Sequence, residues 1–376
     1  MLRYCDHHLL PLPNGHKFPL AKYRLLRERL QGDPRFLVEP SELASRSAVL
    51  RVHDPGYANG FLTGTLEPHV MRRIGFPWSP ELVTRTLASA GGTLLATQTA
   101  LETGFGGTLA GGTHHAFRDA GSGFCVFNDV VVAIRTLLAA GARKVAYVDI
   151  DVHHGDGVQA AFYDDPRVLT ISLHQDPRTL FPGTGLPVEL GVGEAEGTSV
   201  NVALPPGTDD AGWLRAFNAV VPGAVRAFGP DVLVTQDGCD THHEDPLANL
   251  ELSVDGQRTA IAALHKLAHD AANGRWVALG GGGYGVIRCV PRTWTHLLAE
   301  ASGAPVPPET EIPTAWTEHL RRRGVRAESP RTMGEGKNPQ ARPWVPGGDS
   351  WLDRSIGATR RAAFPLLGLD PDDPRD

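Results

Sequence analysis

The stretch VAYVDIDVHHGDG, Val145–Gly157, changes character at its middle. Val145–Ile150 is a short apolar run, too brief for a helix and rich in β-branched residues, as a strand buried on both faces is. At its end stand Asp149, Asp151, His153, His154 and Asp156, five ionisable groups within eight residues. Ligands and active sites gather at the carboxyl ends of strands in parallel α/β sheets. Asp151 and His153 are two apart, so at a strand end both side chains can point the same way, as two ligands of one metal must. Burying so many ionisable groups without a metal or mutual pairing would be very costly, so the segment reads as metal-centred rather than structural.

VLTISL (Val168–Leu173), DVLVTQ (Asp231–Gln236) and WVALG (Trp276–Gly280) have the same buried-strand character, and each leads into a polar or glycine-rich loop. Longer amphipathic stretches separate them. In one, Trp213, Phe217, Val220, Val221, Ala224, Val225 and Phe228 recur at helical spacing behind Asp209 and Asp210, which can cap the N-terminus. Strands alternating with helices give an α/β fold class: a three-layer α/β/α domain with a mainly parallel sheet. Asp240, in the loop after DVLVTQ, would supply a third ligand. One histidine and two carboxylates leave coordination positions for water and substrate, and an open site implies catalysis.

Composition narrows the classes. The chain has 376 residues, 41% hydrophobic and 21% charged, which is an ordinary globular balance. With 36 Lys plus Arg against 42 Asp plus Glu, it lacks the basic footprint of a nucleic-acid binder, so no direct nucleic-acid partner is expected. No apolar run approaches the roughly 18 residues of a membrane span, and the N-terminal Asp6 and His7 interrupt any signal-peptide core, so no membrane partner and a cytoplasmic location are expected. Cys5, Cys125, Cys239 and Cys289 lie far apart and form neither a disulfide framework nor a thiolate zinc site. The stretch from Val325 to Gly348 reads as an extended linker, after which Leu352, Ile356 and Phe364 mark a short docking helix. The expected organisation is one catalytic domain over residues 1–324 and a C-terminal extension over 325–376.

Two further constellations bear on chemistry. In GGTHHAFRDAGSGFCVFND, His114 and His115 are adjacent; alone they are weak evidence, but Asp149 and Asp156 are available to fix their tautomers, one imidazole then serving as base and the other as electrostatic stabiliser or acid. In WVALGGGGYG, Gly280, Gly282 and Gly285 satisfy GxGxxG behind a strand and raise a dinucleotide-binding reading. Pro291 stands where the phosphate-binding helix should run, so the glycines read better as a backbone that bends close to a substrate and presents Tyr284 to a developing oxyanion.

THHA, GFCVFND, DIDVHHGDG, SLHQ, FPGTG, QDGCD and GGGGYG, in this order from about Arg3 to Leu298, resemble the histone deacetylase family, including bacterial acetoin-utilisation proteins. The resemblance implies Zn2+ held by Asp151, His153 and Asp240, with Fe2+ as an alternative metal, and Tyr284 polarising an acyl carbonyl. It implies His115 with Asp156 as general base and acid, and His114 with Asp149 as electrostatic partner. Phe124 and Phe181 would wall an acyl-lysine tunnel near Leu247. A structural K+ would lie near Asp149, Asp151, His153, Ser172 and Leu173, and a second near Phe162, Asp165 and Val168. The implied partner is an acylated lysine of a protein or peptide, or a smaller acylated molecule, with acyl length open.

Departures from relatives sharpen the expectation. Gly155 and Gly238 stand where binuclear arginase-like hydrolases would supply carboxylates for a second metal, so one metal is expected. Leu247 occupies the position where polyamine deacetylases place a Glu, which disfavours a polyamine substrate. RIGFPWSP (Arg73–Pro80) lacks the Asp with which animal class I enzymes grip the substrate backbone. That loop and NGHKFPLAKYRLL resemble class IV members, whereas the later segments, with VPRTWTHLLAE, resemble acetoin-utilisation proteins. A phosphoesterase and a non-catalytic acyl-lysine reader are the rivals.

Overall fold

The structure is a computed structural model that describes residues 1–323 and 328–376. The expected boundary at 324/325 lies outside the described residues. Eight strands, β1 (Leu2–Tyr4), β2 (Val38–Pro40), β3 (Phe105–Thr108), β4 (Val145–Asp149), β5 (Val168–Gln175), β6 (Ser199–Leu204), β7 (Val232–Gln236) and β8 (Trp276–Leu279), form one sheet in the order β2-β1-β3-β8-β7-β4-β5-β6. Every pairing between them is parallel.

A parallel strand needs a crossover, and helical crossovers cover both faces of the sheet. Along β4, Ala146 and Val148 face one core with the helices Asp210–Phe228, Val254–Ala271 and Val290–Ala301. Val145 and Tyr147 face the other, with the helices Asp129–Ala139 and Asp156–Phe162. The two faces follow from the period of two along a strand. In the helix Asp210–Phe228, the Asp209 carboxylate accepts from the Gly212 amide at 2.9 Å, and the apolar stripe from Trp213 to Phe228 is buried, as its spacing requires.

The chain runs from β4 to β5 and β6 on one side, then returns to place β7 against the other edge of β4. The crossover from β4 runs to β5 on one side and that from β7 to β8 on the other, which opens a crevice at the carboxyl ends of β4 and β7. Near the end of the chain, the helix Trp351–Ala363 packs on β6 and on the helix Asp210–Phe228. Ile356 and Phe364 enter the main core, and the Thr359 hydroxyl donates to the Asn201 carbonyl at 2.6 Å. Among the described residues no helix is long and apolar enough to cross a membrane.

Candidate metal centre and catalytic site

The end of β4 sets the site through its own backbone. Asp149 accepts from the Asp151 amide at 3.1 Å, and Asp151 accepts from the His153 amide at 3.0 Å, so each carboxylate tightens the turn that carries the next. Asp240, arriving from β7, accepts from the Val152 amide at 3.0 Å. One ligand atom each from Asp151, His153 and Asp240 then lies within 4.8 Å of the others. The His153 Nδ1 sits 3.1 Å from Asp151 Oδ1 and 3.2 Å from Asp240 Oδ2.

This trio fits a divalent metal. Asp240 Oδ2 is buried and accepts no hydrogen bond, although it lies 3.2 Å from His153 Nδ1, so it keeps an unused lone pair in the interior. Both carboxylates are fully buried, and burial followed by the charge of Asp151 pushes the Asp240 carboxyl upward. A cation between them would relieve that repulsion. Imidazole plus two carboxylates is also a donor set that first-row divalent metals accept. The space suits one ion: a Cβ on Gly238 would collide with Asp151, and one on Gly155 with Asp149. Neither glycine position can take a carboxylate without a shift of a buried acid.

The loop after β3 brings in the histidine pair. His114 Nδ1 is 2.8 Å from Asp149 Oδ2, and His115 Nδ1 is 2.7 Å from Asp156 Oδ1. Their environments push them apart. Burial lowers His114, but the charges of Asp149 and Asp151 outweigh it and carry the group up to about 9. Burial and the neighbouring His114 charge bring His115 down to about 4 despite Asp156. The two rings are thereby biased towards opposite protonation states. Such a split is what acid–base chemistry requires.

Tyr284 lies on the loop after β8 and lines the same cavity of about 380 Å³ as His114, His115, Asp151, His153, Phe124, Phe181 and Leu247. Burial and the charges of Asp240 and Asp151 hold its phenol well above its usual range, so it stays a proton donor. Phe181 packs edge-on to His115 with ring centroids 5.0 Å apart, while Phe124 is held in the aromatic cluster of Phe18 and Phe76. The glycine loop does not form a phosphate cradle. Its Gly282 amide donates to Asp151 at 2.7 Å and its Tyr284 amide to Asp245 at 2.8 Å, so these N–H groups already serve carboxylates. A Cβ at Gly282 would collide with Asp240, which explains the glycine without a nucleotide.

Other expected positions fall as follows. His154 turns away from the cavity to Thr184 and Gln159. Ser172 on β5 is the register partner of Asp149 at the end of β4, with Leu173 next along β5, so the first potassium set lies across these two neighbouring strands. Phe162, Asp165 and Val168 share one turn, in which the Asp165 amide donates to Phe162 and the Val168 amide to Asp165, each at 3.1 Å. A second trio of potential ligands, His242, His243 and Glu244, is already engaged: His242 pairs with Glu335 and Glu244 with Arg288.

Three supporting residues escape sequence reasoning. Lys22 is fully buried and donates to the carbonyls of Gly281 and Gly283 at 3.0 and 3.2 Å, clamping the Tyr284 loop. Asp129 accepts from the Gly112 and Thr113 amides at 3.2 and 2.8 Å and fixes the turn before His114. Asp245 holds both the Leu247 and Tyr284 amides. Asp129 closes the motif FND at the start of the helix Asp129–Ala139, a readable cue; nothing local marks the other two.

Fold and site define an α/β protein with a candidate metal-binding trio beside two His–Asp pairs. The histone deacetylase domain model matches residues 16–301, and the chain belongs to that family. The acetoin utilization protein AcuC of Bacillus subtilis (strain 168) is 43% identical over 208 residues, 55% of this chain and 53% of that protein, so the match spans about half the length of that relative. An uncharacterized protein of Picosynechococcus sp. is 38% identical over 258 residues, covering 67% of this chain and 82% of the other. Among solved structures, an HDAC homolog complexed with SAHA superposes with a TM-score of 0.80 at 25% identity, covering 96% of this chain and 98% of the other. An HDAC homolog from Aquifex aeolicus gives 0.79 at 24% identity, covering 95% and 99%, and supports the fold alone.

Proposed function

We propose that this chain is a zinc-dependent deacylase that hydrolyses the amide of an acylated lysine side chain, acetyl-lysine of a protein or peptide being the first substrate to test. The observation that carries the reading is the convergence of Asp151, His153 and Asp240 within 4.8 Å, with Asp151 and His153 lining a cavity that His115 and Tyr284 also line. Bound there, zinc would supply a Lewis acid and an activated water, and Fe2+ is the alternative occupant.

The chain's own groups supply the rest. The channel between Phe124 and Phe181 admits an unbranched aliphatic stem and excludes water around it. His115, neutral and oriented by Asp156, takes a proton from the attacking water and returns it to the leaving lysine nitrogen. His114, held as an imidazolium by Asp149, stabilises negative charge beside it. Tyr284 donates its phenolic proton in a hydrogen bond to the oxyanion that forms from the acyl carbonyl. Lys22 and Asp245 hold the loop that aims this donor. The products are a carboxylate and a free lysine amine.

The structural potassium sites, a cytoplasmic location, and the division into a catalytic domain (1–324) and a C-terminal extension (325–376) belong to the same proposal. The engaged amides of the glycine loop argue against nucleotide binding, and the blocked Gly155 and Gly238 positions argue against a binuclear phosphoesterase. The test is turnover of an Nε-acetyl-lysine peptide by enzyme stripped of metal and reloaded with zinc or iron. Activity that returns with metal supports the reading; binding of the peptide without turnover under any metal would make the protein a reader instead.

A further inference from the structure

The mouth of the cavity is electrically lopsided. Lys17 and Arg73 line it, both exposed, whereas the one carboxylate among the described lining residues is Asp151, buried at the floor. The two cations share one wall: His16 Nε2 lies 3.0 Å from the Gly75 carbonyl and the Phe124 amide donates to the Ile74 carbonyl at 2.8 Å, so the segments carrying Lys17, Arg73 and Phe124 are tied together. Arg73 rests its guanidinium 5.8 Å from the Phe117 ring, and neither cation has an ion-pair partner among the described residues. The opposite wall, Leu180, Phe181 and Leu247, is apolar.

A metal at the floor would offset the charges of Asp151 and Asp240, leaving Lys17 and Arg73 as the uncompensated charges at the entrance. This local positive field stands out on a chain whose formal net charge is −6. A cleft lined by one sign of charge concentrates ligands of the other. We infer that Lys17 and Arg73 make this site selective for acylated lysines that carry a carboxylate next to the scissile amide's stem, on the Phe124 side of the mouth. The inference rests on the deacylase reading. The carboxylate comes from a flanking Asp or Glu in a peptide or from the free α-carboxylate of an acylated amino acid; the shared chemistry is one anion near two unpaired cations.

The experiment compares kcat/KM for Nε-acetyl-lysine peptides that differ only in flanking Asp, Asn or Lys, with free Nε-acetyl-lysine and its α-amide as the small-molecule arm. The expected preference for Asp over Lys is about tenfold at low ionic strength and shrinks in about 0.5 M salt, because exposed charges are screened. The double variant Lys17→Glu, Arg73→Glu should invert the Asp-to-Lys ratio, a readout that cancels any general loss of activity. A gain confined to the peptides identifies a flanking acidic side chain as the source; a gain of free acetyl-lysine over its amide identifies the α-carboxylate. Wild-type ratios within twofold, or a ratio unchanged in the double variant, overturn the inference while leaving the deacylase reading standing. Absence of turnover with every substrate and metal removes that reading and this inference with it.

Discussion

His115 Nδ1 lies 2.7 Å from Asp156 Oδ1, and both side chains are buried. The contact fixes which ring nitrogen faces the cavity, because a carboxylate accepts only from a protonated nitrogen. Asp156→Asn keeps the volume but lets the ring take the wrong tautomer. The expected result is a fall in kcat of about 10²-fold or more with zinc content unchanged. Metal analysis and steady-state kinetics on the same sample check both halves.

Asp151 and Asp240, in the loops after β4 and β7, are the proposed carboxylate ligands of the metal, so losing either would break the trio. Asp151→Ala or Asp240→Ala should abolish turnover and leave purified protein with little zinc, because a three-ligand site loses most of its affinity when one anion goes. Stoichiometric zinc in either variant, measured by mass spectrometry of the metal, would contradict the assignment.

Phe181 packs on His115 while Phe124 rests in the Phe18 and Phe76 cluster. A hydroxamate that chelates the metal through this channel should lose potency by about 10-fold when either becomes Ala, since each contributes a large apolar contact. Equal inhibition constants in wild type and both variants would remove the channel assignment.

Glu335 joins the C-terminal segment to the main domain, 2.6 Å from Arg292 and 3.1 Å from His242. Burial would raise its carboxyl, but His242 and then Arg292 outweigh this and bring it down to about 2, against an ordinary value of 4.5. A depressed folded-state value means stability that is present above about 4.5 and is lost as pH falls towards about 2. Glu335→Gln should therefore lower stability by about 2 kcal/mol at neutral pH and flatten the acid limb of the stability curve in that window. Denaturant titrations at several pH values check this, and an acid limb identical to wild type would contradict it.

The strands β4, β5, β7 and β8 are legible in the sequence because each is a short apolar run buried on both faces. The strand β3 is not, since Phe105–Thr108 reads Phe-Gly-Gly-Thr: a Cβ at Gly106 would collide with the Ala96 carbonyl of the packed helix Pro80–Thr103. Tertiary approach, not propensity, makes that strand. β1 and β2 are three residues each, too short for any period to show. Within the site, the ligands are legible because backbone turns place them two residues apart or directly after a strand. Lys22 is not, because it meets Gly281 across 259 residues of sequence, a contact that only the folded chain creates.

In the proposed mechanism Tyr284 acts on the acyl oxygen beside the metal. Tyr284→Phe removes one donor without touching Asp151, His153, Asp240 or the amide that Asp245 holds. On a zinc-loaded enzyme with an Nε-acetyl-lysine peptide, the expected loss in kcat is about 10²- to 10³-fold, or about 3 to 4 kcal/mol, with zinc content, melting temperature and peptide affinity near wild type. A Tyr284→Phe enzyme with wild-type kcat would contradict the mechanism even if the metal ligands proved correct.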